Sequence, residues 1–194
     1  MSGIPRRHCR WTVDSLGADT EHLDVVQRYV SSILERVASG LGLYLYGGVG
    51  SGKTTVACAI ALSYLVAQTR LDVQTGKSSG QLVAFVHVPT LLDEIKQGYG
   101  DDDARARMVP VLASLASVPL AVFDDIGAER PSDWVRERLL TITNARYDSE
   151  LCTIYTSNST IPELNEPLGV RLASRITEMT VPIPFRGPDR RQKL

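Results

Sequence analysis

The chain is poor in whatever would mark a metal cage, a disulfide scaffold or a membrane anchor. Its 194 residues hold three cysteines, Cys9, Cys58 and Cys152, too far apart for a C-x-x-C pair or another metal spacing. That predicts buried free thiols in a reducing cytoplasm. No apolar run approaches the ~18 to 20 residues of a bilayer span, and no signal-type apolar core follows the basic start Arg6-Arg7-His8-Cys9-Arg10. The expectation is a cytoplasmic chain without a membrane partner. An excess of one charge is missing too: 21 Lys and Arg against 22 Asp and Glu give a net charge of −1. Composition therefore supplies no global footprint for nucleic acid, and any DNA contact must be local. Internal repeats and low-complexity segments are also absent. What is present, 43% apolar and 22% charged residues, fits one globular domain with a single substantial core.

The most informative segment is Gly47-Gly48-Val49-Gly50-Ser51-Gly52-Lys53-Thr54, a complete G-x-x-x-x-G-K-[ST] loop continued by Thr55. The apolar run 41–46 precedes it and 56–62 follows, so it lies between an expected strand and an expected helix. Glycines let the backbone curl so that several N–H groups face a triphosphate, and a helix N-terminus adds its positive dipole end. Lys53 would reach the β- and γ-phosphates, and the Thr54 hydroxyl would ligate Mg²⁺.

Around this loop the pattern alternates between strand and helix. Apolar positions Leu23, Val26, Tyr29, Val30, Ile33, Leu34 and Val37 recur at spacings of three and four, predicting one helix that stops at Gly40. The helix after the loop is expected to reach about residue 68, with a polar loop over 72–81. Residues 82–88 read as a strand buried on both faces, and a short helix follows from near Pro89. Asp101-Asp102-Asp103 reads as a solvated turn ahead of a helix over 104–117 rather than as a metal site. Further strands are expected at 120–123, 152–156 and 179–183, with helices at 132–147 and 171–176. Alternation of this kind predicts an α/β fold: a central, mostly parallel five-stranded sheet flanked by helices on both faces.

Three later signals narrow the chemistry. The apolar strand Val122-Phe123 ends on Asp124-Asp125, the Walker B arrangement of P-loop NTPases, with Asp124 on the Mg²⁺ side and Asp125 orienting the attacking water. Relatives often carry Glu at the second position, so Asp125 has a shorter reach and hydrolysis is expected to be slow. Asn158, in Thr156-Ser157-Asn158, could contact the γ-phosphate or that water, the sensor 1 role; otherwise it is a turn-forming residue. Arg171 and Arg175 are four apart on one helical face. Arg171 is the candidate finger supplied to a neighbouring subunit and Arg175 the alternate, the other reading being a surface helix paired with acids.

Together with Ile4-Pro5-Arg6-Arg7, Asp124-Asp125-Ile126-Gly127-Ala128-Glu129, the Trp134 helix ending in Asn144-Ala145-Arg146-Tyr147, and Leu168-Gly169-Val170-Arg171-Leu172-Ala173-Ser174-Arg175, these segments resemble the AAA+ domain of bacterial replicative-helicase loaders of the DnaC/DnaI type. The resemblance covers nearly the whole chain, and IstB transposition ATPases share its core. It implies an AAA+ P-loop fold without a large C-terminal helical lid, ATP and Mg²⁺ as cofactors, ATP-dependent self-association, single-stranded DNA, and a DnaB-type replicative helicase as partner. It also places Ile4, Pro5 and Arg10 near the base. Loaders usually carry a helicase-binding segment ahead of the core, whereas about forty residues precede the loop here. The expected division is 1–40 as a segment packing on the core, 41–185 as the ATPase core and 186–194 as a basic tail. Candidate DNA contacts are Lys96 and the tail residues Arg186, Arg190, Arg191 and Lys193, with Tyr99 the one aromatic near Lys96. Three functions stay open: a loader-type ATPase, an IstB-like mobile-element ATPase, and a nucleotide-binding module with little turnover. A small-molecule kinase is disfavoured, since no second phosphate-acceptor site with clustered arginines is found.

Overall fold

The computed structural model describes residues 3–16, 22–97, 102–128 and 131–187. Asp101, Tyr99, Glu129 and the tail from residue 188 lie outside these, as do the expectations attached to them. Five strands form one sheet: β1 (Gly42–Gly47), β2 (Val83–His87), β3 (Leu120–Asp124), β4 (Cys152–Ser157) and β5 (Thr180–Phe185). Their spatial order is β2-β3-β4-β1-β5, and each adjacent pair runs parallel. Helices α1 (Leu23–Ser31), α2 (Ile33–Ala38), α3 (Lys53–Thr75), α4 (Val88–Gln97), α5 (Asp102–Ser117), α6 (Asp133–Asp148), α7 (Asn165–Leu168) and α8 (Val170–Met179) connect them.

Strand periodicity divides the core into two layers. Leu43, Leu45, Leu120, Val122, Cys152 and Ile154 face α1, α2 and α3, together with Val13, Leu16, Val26, Ile33 and Val37. Tyr44, Ala121, Phe123 and Tyr155 face the other way, against Leu91, Leu115, Leu139, Leu172 and Ile176 from α4, α5, α6 and α8. Both faces are covered, which is why the strands read as unbroken apolar runs. Edge strand β5 carries Pro182 and Pro184, residues that cannot donate to a further strand.

Several boundaries depart from the sequence expectation. The helix over 23–37 is broken at Ser32, whose backbone leaves helical geometry at φ −120° and ψ 33°. α3 continues to Thr75 and ends on left-handed Gly76, whose N–H donates to Asp72 O. Its last turns are polar: Asp72 accepts from Gln68 Nε2 (2.8 Å) and Ser79 Oγ (2.7 Å). α3 has 23 residues and contains an 18-residue stretch of mean hydropathy 1.3, enough by length and composition to cross a bilayer. Its apolar side chains from Val56 to Ala61 are instead buried within the protein.

Arg146 is fully buried and donates to Thr153 Oγ1 (2.8 Å), Leu115 O (2.8 Å), Val118 O (3.0 Å) and Cys152 O. These four bonds join the end of α5 to β4, and desolvation lowers its pKa to about 10. Burial pushes the Cys58 thiol up to about 12 and the Cys152 thiol up to about 11; Tyr29 and Tyr44 are raised for the same reason. Above the ordinary thiol value of 9.0 the unfolded chain loses protons that the folded chain keeps, so stability falls as pH rises. The unfolding free energy from urea titration should hold to about pH 8.5 and fall by several kcal/mol by pH 11, each pKa unit being worth about 1.4 kcal/mol. At pH 8 a thiol reagent should modify exposed Cys9 quickly and buried Cys58 and Cys152 only on unfolding.

Candidate nucleotide site

Strand order decides what meets at the carboxyl edge of the sheet. After β1 the chain passes through α3 to the far strand β2, and β4 later enters between β1 and β3. The crevice where connections diverge is the ordinary ligand position in such sheets, and it gathers the phosphate loop, the paired acids and Asn158. The loop leaves β1 at Gly47, whose φ is +137° and whose missing Cβ would collide with the Phe185 carbonyl. α3 begins directly at Lys53, so its unpaired N–H groups face the loop.

Lys53 is 7% exposed. Its Nζ donates to Gly47 O (2.8 Å), Gly48 O (2.8 Å) and Asn158 Oδ1 (3.0 Å). The other end of the same amide, Asn158 Nδ2, donates to Asp125 Oδ1 (3.2 Å). Asp124 is buried, and its Oδ1 accepts from Thr54 Oγ1 (2.7 Å) and Thr156 Oγ1 (2.7 Å). Because the Thr54 hydroxyl proton is committed to Asp124, its oxygen lone pairs are left for a cation. Among the described residues no group of three or more His, Cys, Asp or Glu could hold a metal. The donor set suits Mg²⁺, which is ordinarily held by one or two protein oxygens, phosphate and water; Thr54 would be its ligand and Asp124 would orient that ligand.

Asp125 adopts a left-handed backbone at φ +61°, uncommon for a residue with a Cβ. Its N–H donates to Thr156 Oγ1 (2.9 Å), and the next N–H, from Ile126, donates to Thr156 O (2.8 Å). Ser157 Oγ donates to Ile126 O (2.7 Å). Gly127 closes this turn where a Cβ would strike Leu164. Sequence reasoning passed over Thr156, Ser157 and His87. His87 pairs in register with Asp124, and its Nε2 lies 4.0 Å from Asp125 Oδ2 while Nδ1 meets Thr90 Oγ1 at 3.0 Å. The signal was a histidine ending the strand beside the acidic one, legible only once strand order is known.

The two arginines differ. Arg175 lies 4.2 Å from the Tyr147 ring centre and 3.2 Å from Glu178 Oε2. Glu178 also accepts from Tyr147 Oη (2.6 Å) and Ser174 Oγ (3.1 Å), bonds that hold its carboxyl below the usual range. Arg171 is exposed in the first turn of α8 and has no side-chain hydrogen bond or ion pair among the described residues. The structure thus brings together Lys53, Thr54, Asp124, Asp125 and Asn158, and no hydrogen bond joins Arg171 or Arg175 to them.

Comparison with known proteins agrees with this geometry. The chain is 28% identical to the replicative helicase loader DnaI of Bacillus subtilis (strain 168), over 92% of its own length and 60% of that protein's. Among solved structures it is similar to the DnaC helicase loader (TM-score 0.73, 23% identity, 94% of this chain and 100% of that one) and to DnaI (TM-score 0.72, 26% identity, 96% and 93%). Domain III of the replication initiation protein DnaA from Thermotoga maritima follows the same fold (TM-score 0.71, 18% identity, 96% and 70%). The architecture is the AAA+ P-loop fold, and among the described residues no large helical lid follows β5. A family described as "IstB-like ATP binding protein" matches residues 20–177, and the chain belongs to that family.

Proposed function

We propose that this chain is the ATPase core of a helicase-loading protein, acting in the cytoplasm on a DnaB-type helicase at single-stranded DNA. The observation that carries the reading is the unbroken path Lys53–Asn158–Asp125, beside Thr54–Asp124, at one sheet edge. Residues 47–55 bind the triphosphate, with Lys53 moving from loop carbonyls to phosphate oxygens. Mg²⁺, when bound, neutralises developing phosphoryl charge. Asp125 orients and deprotonates the attacking water, and Asn158 reports the γ-phosphate to it. Arg171 completes the site of a second copy, which makes turnover depend on assembly. Arg175 anchors α8 within its own chain.

For DNA, Lys96 is partly committed to Asp93 (3.3 Å). Trp134 is a better platform: it is 38% exposed and Arg138 lies 5.3 Å from its ring centre, the aromatic and cation pairing used for sequence-tolerant single strands.

A second reading, an IstB-like ATPase serving a mobile element, draws on the family itself. Co-purification from the host decides between them. With ATP and single-stranded DNA the chain should retain the replicative helicase; retention of a transposase without the helicase would move the assignment to the second reading.

A further inference from the structure

We propose that Thr156 is a positioning residue for ATP turnover, its hydroxyl locking the metal-side carboxylate of Asp124 to the backbone of Asp125. The inference rests on the roles proposed above for those two acids. A threonine hydroxyl has one proton and two lone pairs, and here both functions are used inside the site. The proton goes to Asp124 Oδ1 at 2.7 Å and a lone pair takes the Asp125 N–H at 2.9 Å.

Placement makes this bridge effective. Thr156 lies on β4, between β1, which carries the phosphate loop, and β3, which carries the acids. It pairs in register with Leu45 of β1 and is 1% exposed, so bulk water does not replace a lost bond. Its carbonyl also accepts the Ile126 N–H, which hangs the turn containing Asp125 from side chain and backbone at once. Asp124 Oδ1 holds Thr54 and Thr156 together. Loss of the hydroxyl removes one of the two donors fixing Asp124 against Thr54. It also leaves the left-handed Asp125 with an unpaired N–H. Both acids then shift, one affecting Mg²⁺ and the other water.

Thr156→Val keeps shape and burial but removes the hydroxyl, whereas Thr156→Ser keeps the hydroxyl and removes a methyl. Binding of a fluorescent ATP analogue is measured across Mg²⁺ concentrations and in EDTA, beside steady-state turnover. Outer-shell partners of a metal site are worth roughly 10- to 100-fold. The valine variant should therefore need about 10-fold more Mg²⁺ for half-maximal binding and lose about 10-fold in kcat. Its analogue affinity in EDTA should stay near wild type, whereas its KM for Mg-ATP should rise in step with the lost Mg²⁺ affinity, because the two binding routes close one thermodynamic cycle. Serine should restore both properties. A wild-type Mg²⁺ midpoint in the valine variant, or a serine variant as impaired as valine, overturns the proposal. If valine does not fold, Thr156→Ala takes its place with the same two outcomes. Wild-type protein that binds Mg-ATP without turning it over would refute the ATPase reading, while the Mg²⁺ midpoint still decides the role of Thr156.

Discussion

Replacing Lys53 by alanine is expected to abolish ATP binding at micromolar concentrations while leaving the fold intact. Lys53 is the cation of the loop, buried to 7% exposure and bonded to two loop carbonyls and Asn158 Oδ1. A lysine binds phosphate as a compact point charge, and a charge buried to this degree is weakly screened. Its loss should weaken affinity by at least about 100-fold, near 2.7 kcal/mol. The same change deprives Asn158 of its donor and loosens the amide that holds Asp125. Titration with a fluorescent ATP analogue gives the affinity, and far-UV circular dichroism checks folding. Unchanged affinity in a folded variant would sink the phosphate-loop assignment.

The second large effect concerns Arg171, proposed above as a finger supplied to a second copy. Arg171→Ala and Asp125→Asn should each reduce turnover by about 1,000-fold, the lower end of what a finger contributes, while leaving Mg-ATP binding in place. Mixed together they should recover activity. In a head-to-tail assembly a working interface needs an intact acid from the Arg171→Ala subunit and an intact finger from the Asp125→Asn subunit. Random mixing at equal amounts supplies that at about one interface in four, so turnover should return to about a quarter of wild type. Arg175→Ala should lose only a few-fold, because its guanidinium is already committed to Tyr147 and Glu178. No recovery at any ratio, with subunits still associating by light scattering, would count against a finger in trans.

The parts of this site that were legible in sequence are those made by consecutive residues. The phosphate loop, the paired acids and Asn158 each depend on a short segment ending a strand, and apolar runs announced all five strands. Periodicity was blind to the break at Ser32 because Tyr29, Ile33 and Val37 stay on the buried side through it. The last turns of α3 read as loop because they are polar. They remain helical because Gln68 and Ser79 satisfy Asp72 and Gly76 supplies the left-handed stop.

By itself the sequence determined the chemistry available: a loop for phosphates, a hydroxyl for a cation, two carboxylates, an amide and a pair of arginines. Only the tertiary structure decided which of these touch. Parallel pairing placed β4 between β1 and β3, and that order brought Thr156 and Asn158 onto acids more than thirty positions away. It also set His87 beside Asp125 and separated Arg175, bound within its own chain, from Arg171, displayed to solvent. The physical reason is that a hydrogen bond depends on separations of about 3 Å, and contacts across a sheet follow strand order and register, which no local run of residues encodes.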